Sequence, residues 1–419
     1  MSPRDIFFAF ADYLKSARFL DLARHPDHPS GFTRSGGKLP LHTLISVMLC
    51  GMRMSVGAEL DLFFAQLHQH ASLVRHVSAQ AFAQARAKLS PSAIPDLNDW
   101  LIQQVEAAGL CPRWHGLRLV AADASHLHFG LRASHVPRAA SREQLAFGLY
   151  LPGCEMMLAA SLYCPLVGER QMLFEHLDRL QSNDLLLLDR GYPARWLVAV
   201  LNHRHIPFCM RVERQGKGGF ACVRQFLRSG RDEQLVMLDA PDRQDTIDFE
   251  CPSTPPVVRL VRQVAPNGQA RVLMTNLLDA EDFPATGFGD LYHQRWRIEE
   301  AYKRLKHRLN LEHVTGLSQQ AVMQDFAARV LCDNLQALAC LAATREADIP
   351  VSRHINKAYA HTALKRILPM VLLSLHNAAQ MLQDTVALIA RHTFLHREGL
   401  SRPRPARAKP HKHLSQKAC

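Results

Sequence analysis

Four consecutive leucines between two aspartates, Asp184-Leu-Leu-Leu-Leu-Asp189, set the strongest limit on the fold. A short apolar run closed by a turn signal, here Arg190-Gly191, reads as a strand buried on both faces. Such a strand belongs in a sheet covered by helices. A second run, Leu117-Arg-Leu-Val-Ala-Ala-Asp123, reads as another strand that ends in an acid. Strand patterns also lie at 145–151, 156–163 and 206–212, and helical ones near 171–180 and 195–203. The order β-β-β-α-β-α-β implies an α/β fold with a mixed sheet. Open α/β sheets place their chemistry beyond the C-terminal ends of core strands, where Asp123 and Asp189 fall.

Further along the chain comes Tyr292-His-Gln-Arg295-Trp-Arg-Ile-Glu299-Glu-Ala-Tyr-Lys-Arg-Leu-Lys306. Read as one helix, it keeps Tyr292, Arg295 and Lys306 within roughly 40° of Glu299 at about 100° per residue. Leu291, Ile298, Ala301, Leu305 and Leu309 form a neighbouring stripe suited to a core. A carboxylate flanked by a phenol, a guanidinium and an ammonium suits a metal ion beside a phosphate. The plainer reading of an Arg–Glu pair four apart is a surface pair worth a few tenths of a kcal/mol. Two acidic strand ends upstream favour the functional reading. Together Asp123, Asp189 and Glu299 make a carboxylate set that only the fold can assemble.

The rest of the chain surrounds this core. Residues 1–115 read as a mostly helical region, with breakers at Gly36-Gly37, Pro40 and Pro91. Ser78 is placed to cap a helix that offers Gln80, Gln84, Arg86 and Lys88 to bases or phosphates; an ordinary surface helix fits equally well. The core spans 116–317. Within it, 213–284 reads as a β-rich insertion, with a loop at Gly216–Gly219 and a hairpin around Pro266-Asn267-Gly268. A helical C-terminal region follows at 318–396. The tail, 397–419, is basic: Arg402 to Cys419 holds six Lys/Arg and no acid, which predicts disorder and nonspecific contact with DNA.

Charge and cysteine usage narrow the function class. A net charge of +12 favours a polyanionic partner. The ten cysteines show no Cys-x2-Cys pair, so they read as reduced thiols, most of them in cores. No apolar run reaches the roughly 18 residues that span a bilayer, and Met-Ser-Pro-Arg-Asp does not read as a signal peptide. The expectation is a cytoplasmic, nucleoid-associated protein with no membrane partner.

The spacing Tyr-x2-Arg-x3-Glu-x6-Lys resembles the signature of DDE transposases of the insertion-sequence-four family. Phe32-Thr-Arg-Ser-Gly-Gly-Lys-Leu-Pro-Leu41 looks like that family's N-terminal motif. Ala121-Ala-Asp123-Ala-Ser125 and Leu188-Asp189-Arg-Gly-Tyr192 look like its two aspartate motifs, and Met274-Thr-Asn-Leu277 like the approach to the third acid. The resemblance implies a ribonuclease-H-like core with a β-rich insertion and helical flanks. It implies that Asp123, Asp189 and Glu299 bind two Mg²⁺ ions, with Mn²⁺ able to substitute. Tyr292, Arg295 and Lys306 then hold DNA phosphates. The implied partners are element terminal inverted repeats, target DNA and a second copy of the chain. The implied reaction is cut-and-paste transposition: nicking, a hairpin intermediate, then strand transfer. A non-catalytic DNA-binding inhibitor and a ribonuclease-H-fold nuclease are the competing readings.

Overall fold

The computed structural model describes residues 1–34, 36–52, 54–129, 139–213, 220–264, 268 and 270–395. The Gly216–Gly219 loop, Pro266-Asn267, Ser35 of the N-terminal motif and the tail at 397–419 lie outside the described residues. The chain divides into two compact units. One comprises Cys111–His126 and Leu145–Tyr302; the other comprises Met1–Leu110, Leu127–Gln144 and Lys303–Cys419.

The first unit is organised by a sheet of nine described strands. In chain order its elements begin with β1 (Arg113–Trp114), β2 (Leu117–His128), β3 (Glu143–Leu151) and β4 (Met156–Tyr163). The helix numbered α7 (Glu169–Phe174) leads to β5 (Asp184–Leu188), then α8 (Arg195–His203) to β6 (Phe208–Val212). Next come α9 (Ala221–Ser229), β7 (Glu233–Met237), α10 (Arg243–Asp248), β8 (Val257–Val264) and β9 (Ala270–Thr275). Helices α11 (Phe288–His293) and α12 (Trp296–Arg308) follow. The strand order is β4-β3-β2-β5-β6-β9-β8-β7, with β1 paired to β2.

Strands β2, β5 and β6 run parallel, and β3–β4 is an antiparallel pair. This mixed sheet with helices is the α/β arrangement expected from the sequence. Leu185, Leu186, Leu187 and Leu188 are fully buried, as a strand covered on both faces requires. Each contributes roughly 1.5–3 kcal/mol by leaving water. The strands expected at 213–284 are present, but they extend the main sheet. Strand β9 pairs antiparallel with β6 along Cys209–Val212, so the backbone groups of that edge are satisfied. Helices α9 and α10 also interrupt the expected run of strands.

The second unit is helical. It holds α1 (Pro3–Lys15), α2 (Ala17–Ala23), α3 (Leu41–Leu49), α4 (Val56–Leu67), α5 (Ala79–Ala87) and α6 (Ala93–Ala107). It also holds α13 (Gln319–Glu346), α14 (Lys357–Leu372), α15 (Ala378–Arg391) and a small ladder of β10 (Arg353–Ile355) with β11 (Thr393–Leu395). Helices from both ends of the chain pack together, α13 against α1, α3, α6, α14 and α15. By length and composition α13 is apolar enough to cross a membrane, yet 78% of that stretch is buried within the structure. A core helix has this composition. Between α3 and α4 lies Gly51, whose φ of +61° is strained for a side-chain-bearing residue.

Ser78 caps α5 as expected, accepting from the Ala81 amide. Arg86, however, does not face outward. It is buried and donates to Gln324, Thr315, the Ala321 carbonyl and Asp325, all within the helical unit. Gln80, Gln84 and Lys88 remain exposed. Among the nine described cysteines none is in a disulfide. Four are buried, four are half-buried and Cys164 is exposed, so fewer sit in cores than expected.

Candidate active site

The last parallel pair between β2 and β5 is Ala121↔Leu187. Asp123 and Asp189 each stand two residues past it, so the pleat directs them to the same face of the sheet. Strand β5 ends at Leu188, whereas β2 continues to His128. Asp123 is therefore inside its strand and not at its end. What ends near Asp123 is the pairing with β5. Beyond Asp189 the chain turns, and the Gly191 amide donates to Asp189 Oδ1 at 2.7 Å. A Cβ at Gly191 would meet that oxygen at 3.0 Å, so glycine lets the turn close on the carboxylate.

The third acid is reached through a break that the sequence pattern hides. The expected single helix through Tyr292, Arg295, Glu299 and Lys306 is two helices. Tyr292 lies on α11, Arg295 lies in the turn after it, and Glu299 and Lys306 lie on α12. The backbone tightens there to i→i+3 bonds: Gln294 to Leu291, Arg295 to Tyr292, Arg297 to Gln294 and Ile298 to Arg295. No glycine or proline marks the place. The expected core stripe holds nonetheless, for Leu291, Ile298, Ala301, Leu305 and Leu309 are all buried.

Arg295 is 5% exposed, which removes the surface-pair reading. Its Nη2 donates to Glu299 Oε1 at 2.8 Å, and its guanidinium lies 6.0 Å from the Tyr292 ring and 5.6 Å from the Trp296 ring. Its Nε is buried without a hydrogen-bond partner. Burial lowers and the charges of Asp123 and Glu299 help raise its affinity for the proton, the net direction being upward.

The carboxylates share one electrostatic neighbourhood. Burial, followed by the charges of Glu169, Asp189 and Glu299, pushes the Asp123 carboxyl up to about 7 against the pull of Arg295. Burial pushes the Tyr292 phenol up to about 12, with Asp189 adding to the rise and Arg295 opposing it. Burial lowers the Lys306 ammonium, and the charge of Glu312 opposes that shift.

Oxygen donors of this kind suit a hard divalent cation. Two buried polar atoms, the Tyr192 hydroxyl and Arg295 Nε, have no hydrogen-bond partner among the described residues, which also fits a site that receives a polar ligand. Asp189 and Glu299 are near enough to raise the Asp123 carboxyl. Even so, no group of three His, Cys, Asp or Glu among the described residues is gathered closely enough to hold a metal as it stands. One reason is visible in the side chains: Glu299 is held by Arg295.

Comparison with known proteins bears on this geometry. Residues 149–335 match the Transposase DDE domain family. That stretch contains Asp189, Tyr292, Arg295, Glu299 and Lys306, while Asp123 precedes it. The chain is similar to the Transposase InsG for insertion sequence element IS4 of Escherichia coli (strain K12), at 26% identity over 276 residues. The match covers 62% of this chain and 60% of that protein. A solved structure described as the cryo-EM structure of piggyBac transposase synaptic complex with hairpin DNA aligns over 95% of this chain and 86% of that chain. Its TM-score is 0.45 and its sequence identity 13%.

Several residues of the site were not singled out in the sequence. The Tyr302 hydroxyl donates to the Ala146 carbonyl at 2.9 Å and lies 3.3 Å from the Asp123 carbonyl. It reaches them because Gly148 leaves space: a Cβ there would come within 2.9 Å of the Tyr302 oxygen. Glu169 and Arg170, at the start of α7, also belong to the neighbourhood of Asp189. Their only sequence signal is an acid and a base at a helix start, which occurs on many surfaces.

Proposed function

We propose that this chain is a DNA transposase that excises an insertion sequence and joins it to target DNA by metal-dependent cut-and-paste chemistry. The observation that carries the reading is Arg295: a buried guanidinium beside Glu299, in the field of Asp123, with Nε lacking a partner. A phosphate oxygen would complete that donor set, and guanidinium–phosphate bonds are among the stronger charge-assisted ones. The Transposase DDE match and the similarity to an insertion-sequence transposase support the same conclusion.

In this reading Asp123, Asp189 and Glu299 hold Mg²⁺, two ions in all, with Mn²⁺ substituting. When bound, such ions activate a water or a 3′-hydroxyl and stabilise the leaving oxygen of an in-line displacement. Arg295 and Tyr292 orient the phosphate beside the acids, and Lys306 holds DNA further along α12. The +12 net charge draws the duplex toward the protein. Two subunits act on two terminal inverted repeats, through a hairpin intermediate, in the cytoplasm at the nucleoid.

The test is cleavage of duplex DNA carrying the gene's own flanking sequences in Mg²⁺, wild type beside Glu299→Ala. Wild type should cut at the element ends and the variant should bind without cutting. If both bind those ends and neither cuts, the protein is a DNA-binding module and the catalytic reading is lost.

A further inference from the structure

The acidic end of the β2–β5 pair holds one carboxylate more than the three described above. Glu169 is the first residue of α7. Its neighbour Arg170 donates through Nε to the carbonyls of Gly191 at 3.0 Å and Tyr192 at 3.1 Å. Those bonds tie the start of α7 to the turn that follows Asp189. As a result Asp189 Oδ1 and Glu169 Oε2 flank the same glycine, 3.0 and 3.8 Å from where a Cβ of residue 191 would sit.

A second observation points to a ligand at this place. Tyr192 is fully buried, and its hydroxyl has no hydrogen-bond partner among the described residues. Burial, with the charges of Glu169, Asp123 and Asp189, holds its phenol firmly protonated. A buried hydroxyl without a partner forfeits the hydrogen bond it would make to water. Clustered carboxylates cost more unless something positive joins them. A hydrated divalent cation answers both needs: the carboxylates bind it, and its water meets the hydroxyl.

We propose that Glu169 is a fourth carboxylate of the cation site and that the Tyr192 hydroxyl contacts the cation's bound water. The proposal rests on the reading of Asp123, Asp189 and Glu299 as the metal-binding set. If Glu169 served only as an acid in the first turn of α7, its loss would change stability and leave metal affinity alone.

The experiment is Mn²⁺ titration of the full-length protein, with free Mn²⁺ followed by electron paramagnetic resonance. Wild type, Asp123→Asn, Glu169→Gln, Glu169→Asp and Tyr192→Phe are compared, each with a thermal melt. Asp123→Asn should abolish the tightest binding. Glu169→Gln should weaken it about tenfold or more, Glu169→Asp should recover part of the loss, and Tyr192→Phe should weaken it several-fold. If Glu169→Gln fails to fold, Glu169→Asp is read in its place. Wild-type Mn²⁺ affinity in the folded Glu169 variants, with Asp123→Asn defective, overturns the role of Glu169 alone. Uptake insensitive to Asp123→Asn, or no uptake by wild type, overturns the three-acid site and this proposal together.

Discussion

The two ends of the parallel pair β2–β5 carry the same residue type to opposite purposes. At the N-terminal end, Arg118 and Asp184 are register partners. Arg118 Nε and Nη2 donate to the two oxygens of Asp184 at 2.5 and 2.6 Å, with both side chains buried. Asp184 also accepts from the Gln181 amide at 2.9 Å. At the C-terminal end, Asp123 and Asp189 face the same side of the sheet, and burial with neighbouring acids raises the Asp123 carboxyl to about 7 against the pull of Arg295. One end of the sheet neutralises its charge within the protein. At the other, the Asp123 carboxyl keeps its proton to a higher pH. The difference teaches that a buried acid is read by its partners and not by its burial.

Four outcomes would break or sharpen this contrast, the largest first. Asp189→Ala should lower element-end cleavage about 1,000-fold or more, roughly 4 kcal/mol in the barrier, while the fold persists in circular dichroism. Comparable loss of fold and activity would place Asp189 with the structural end instead.

Arg118→Met should destabilise the sheet unit by about 3–5 kcal/mol in urea, because Asp184 is left buried and unpaired. Arg118→Met with Asp184→Leu should recover most of that. A single variant costing less than about 1 kcal/mol would mean that the N-terminal pair is no more structural than the acids opposite.

Asp123→Asn should stabilise the metal-free protein by about 2–4 kcal/mol at pH 8. The folded carboxyl keeps its proton to about pH 7 and the unfolded one releases it near 3.8. The native state therefore binds more protons between those values, and stability falls as pH rises across them. The advantage of Asn should be full above pH 7 and vanish below pH 4. Melting curves in EDTA across that range decide it; a destabilised variant at pH 8 would show that this end carries no electrostatic cost.

The smallest effect is expected at Gly191→Ala, where the new methyl meets Asp189 Oδ1 at 3.0 Å. Cleavage should drop about tenfold through the displaced carboxylate, with at most about 1 kcal/mol lost in stability. Unchanged cleavage would mean that the turn can shift without moving the acid.

Much of the framework was legible because it is written in local periodicity. Met156–Tyr163 and Arg195–His203 form the strand and helix that their patterns predict, and the leucine run of β5 is as buried as its composition requires. The acids were legible as acids at the ends of apolar runs. Partnership was not. Arg86 looks like an exposed cation on a polar helix face, yet Asp325, 239 residues away, takes it into the interior. The turn at Gln294-Arg295 carries no breaker, since burying Arg295 next to Glu299 rather than any local preference accompanies it.

By itself, then, the sequence determined the α/β class, the strands of the core and the candidate chemistry of Asp123, Asp189, Glu299 and Arg295, because apolar spacing and residue type act over a few neighbours. Tertiary structure alone decided that Arg118 neutralises Asp184, that β9 extends the sheet from β6, and that Glu169 and Tyr192 stand beside Asp189. Electrostatic and hydrogen-bond partners are fixed by distance in space, and distance along the chain does not encode it.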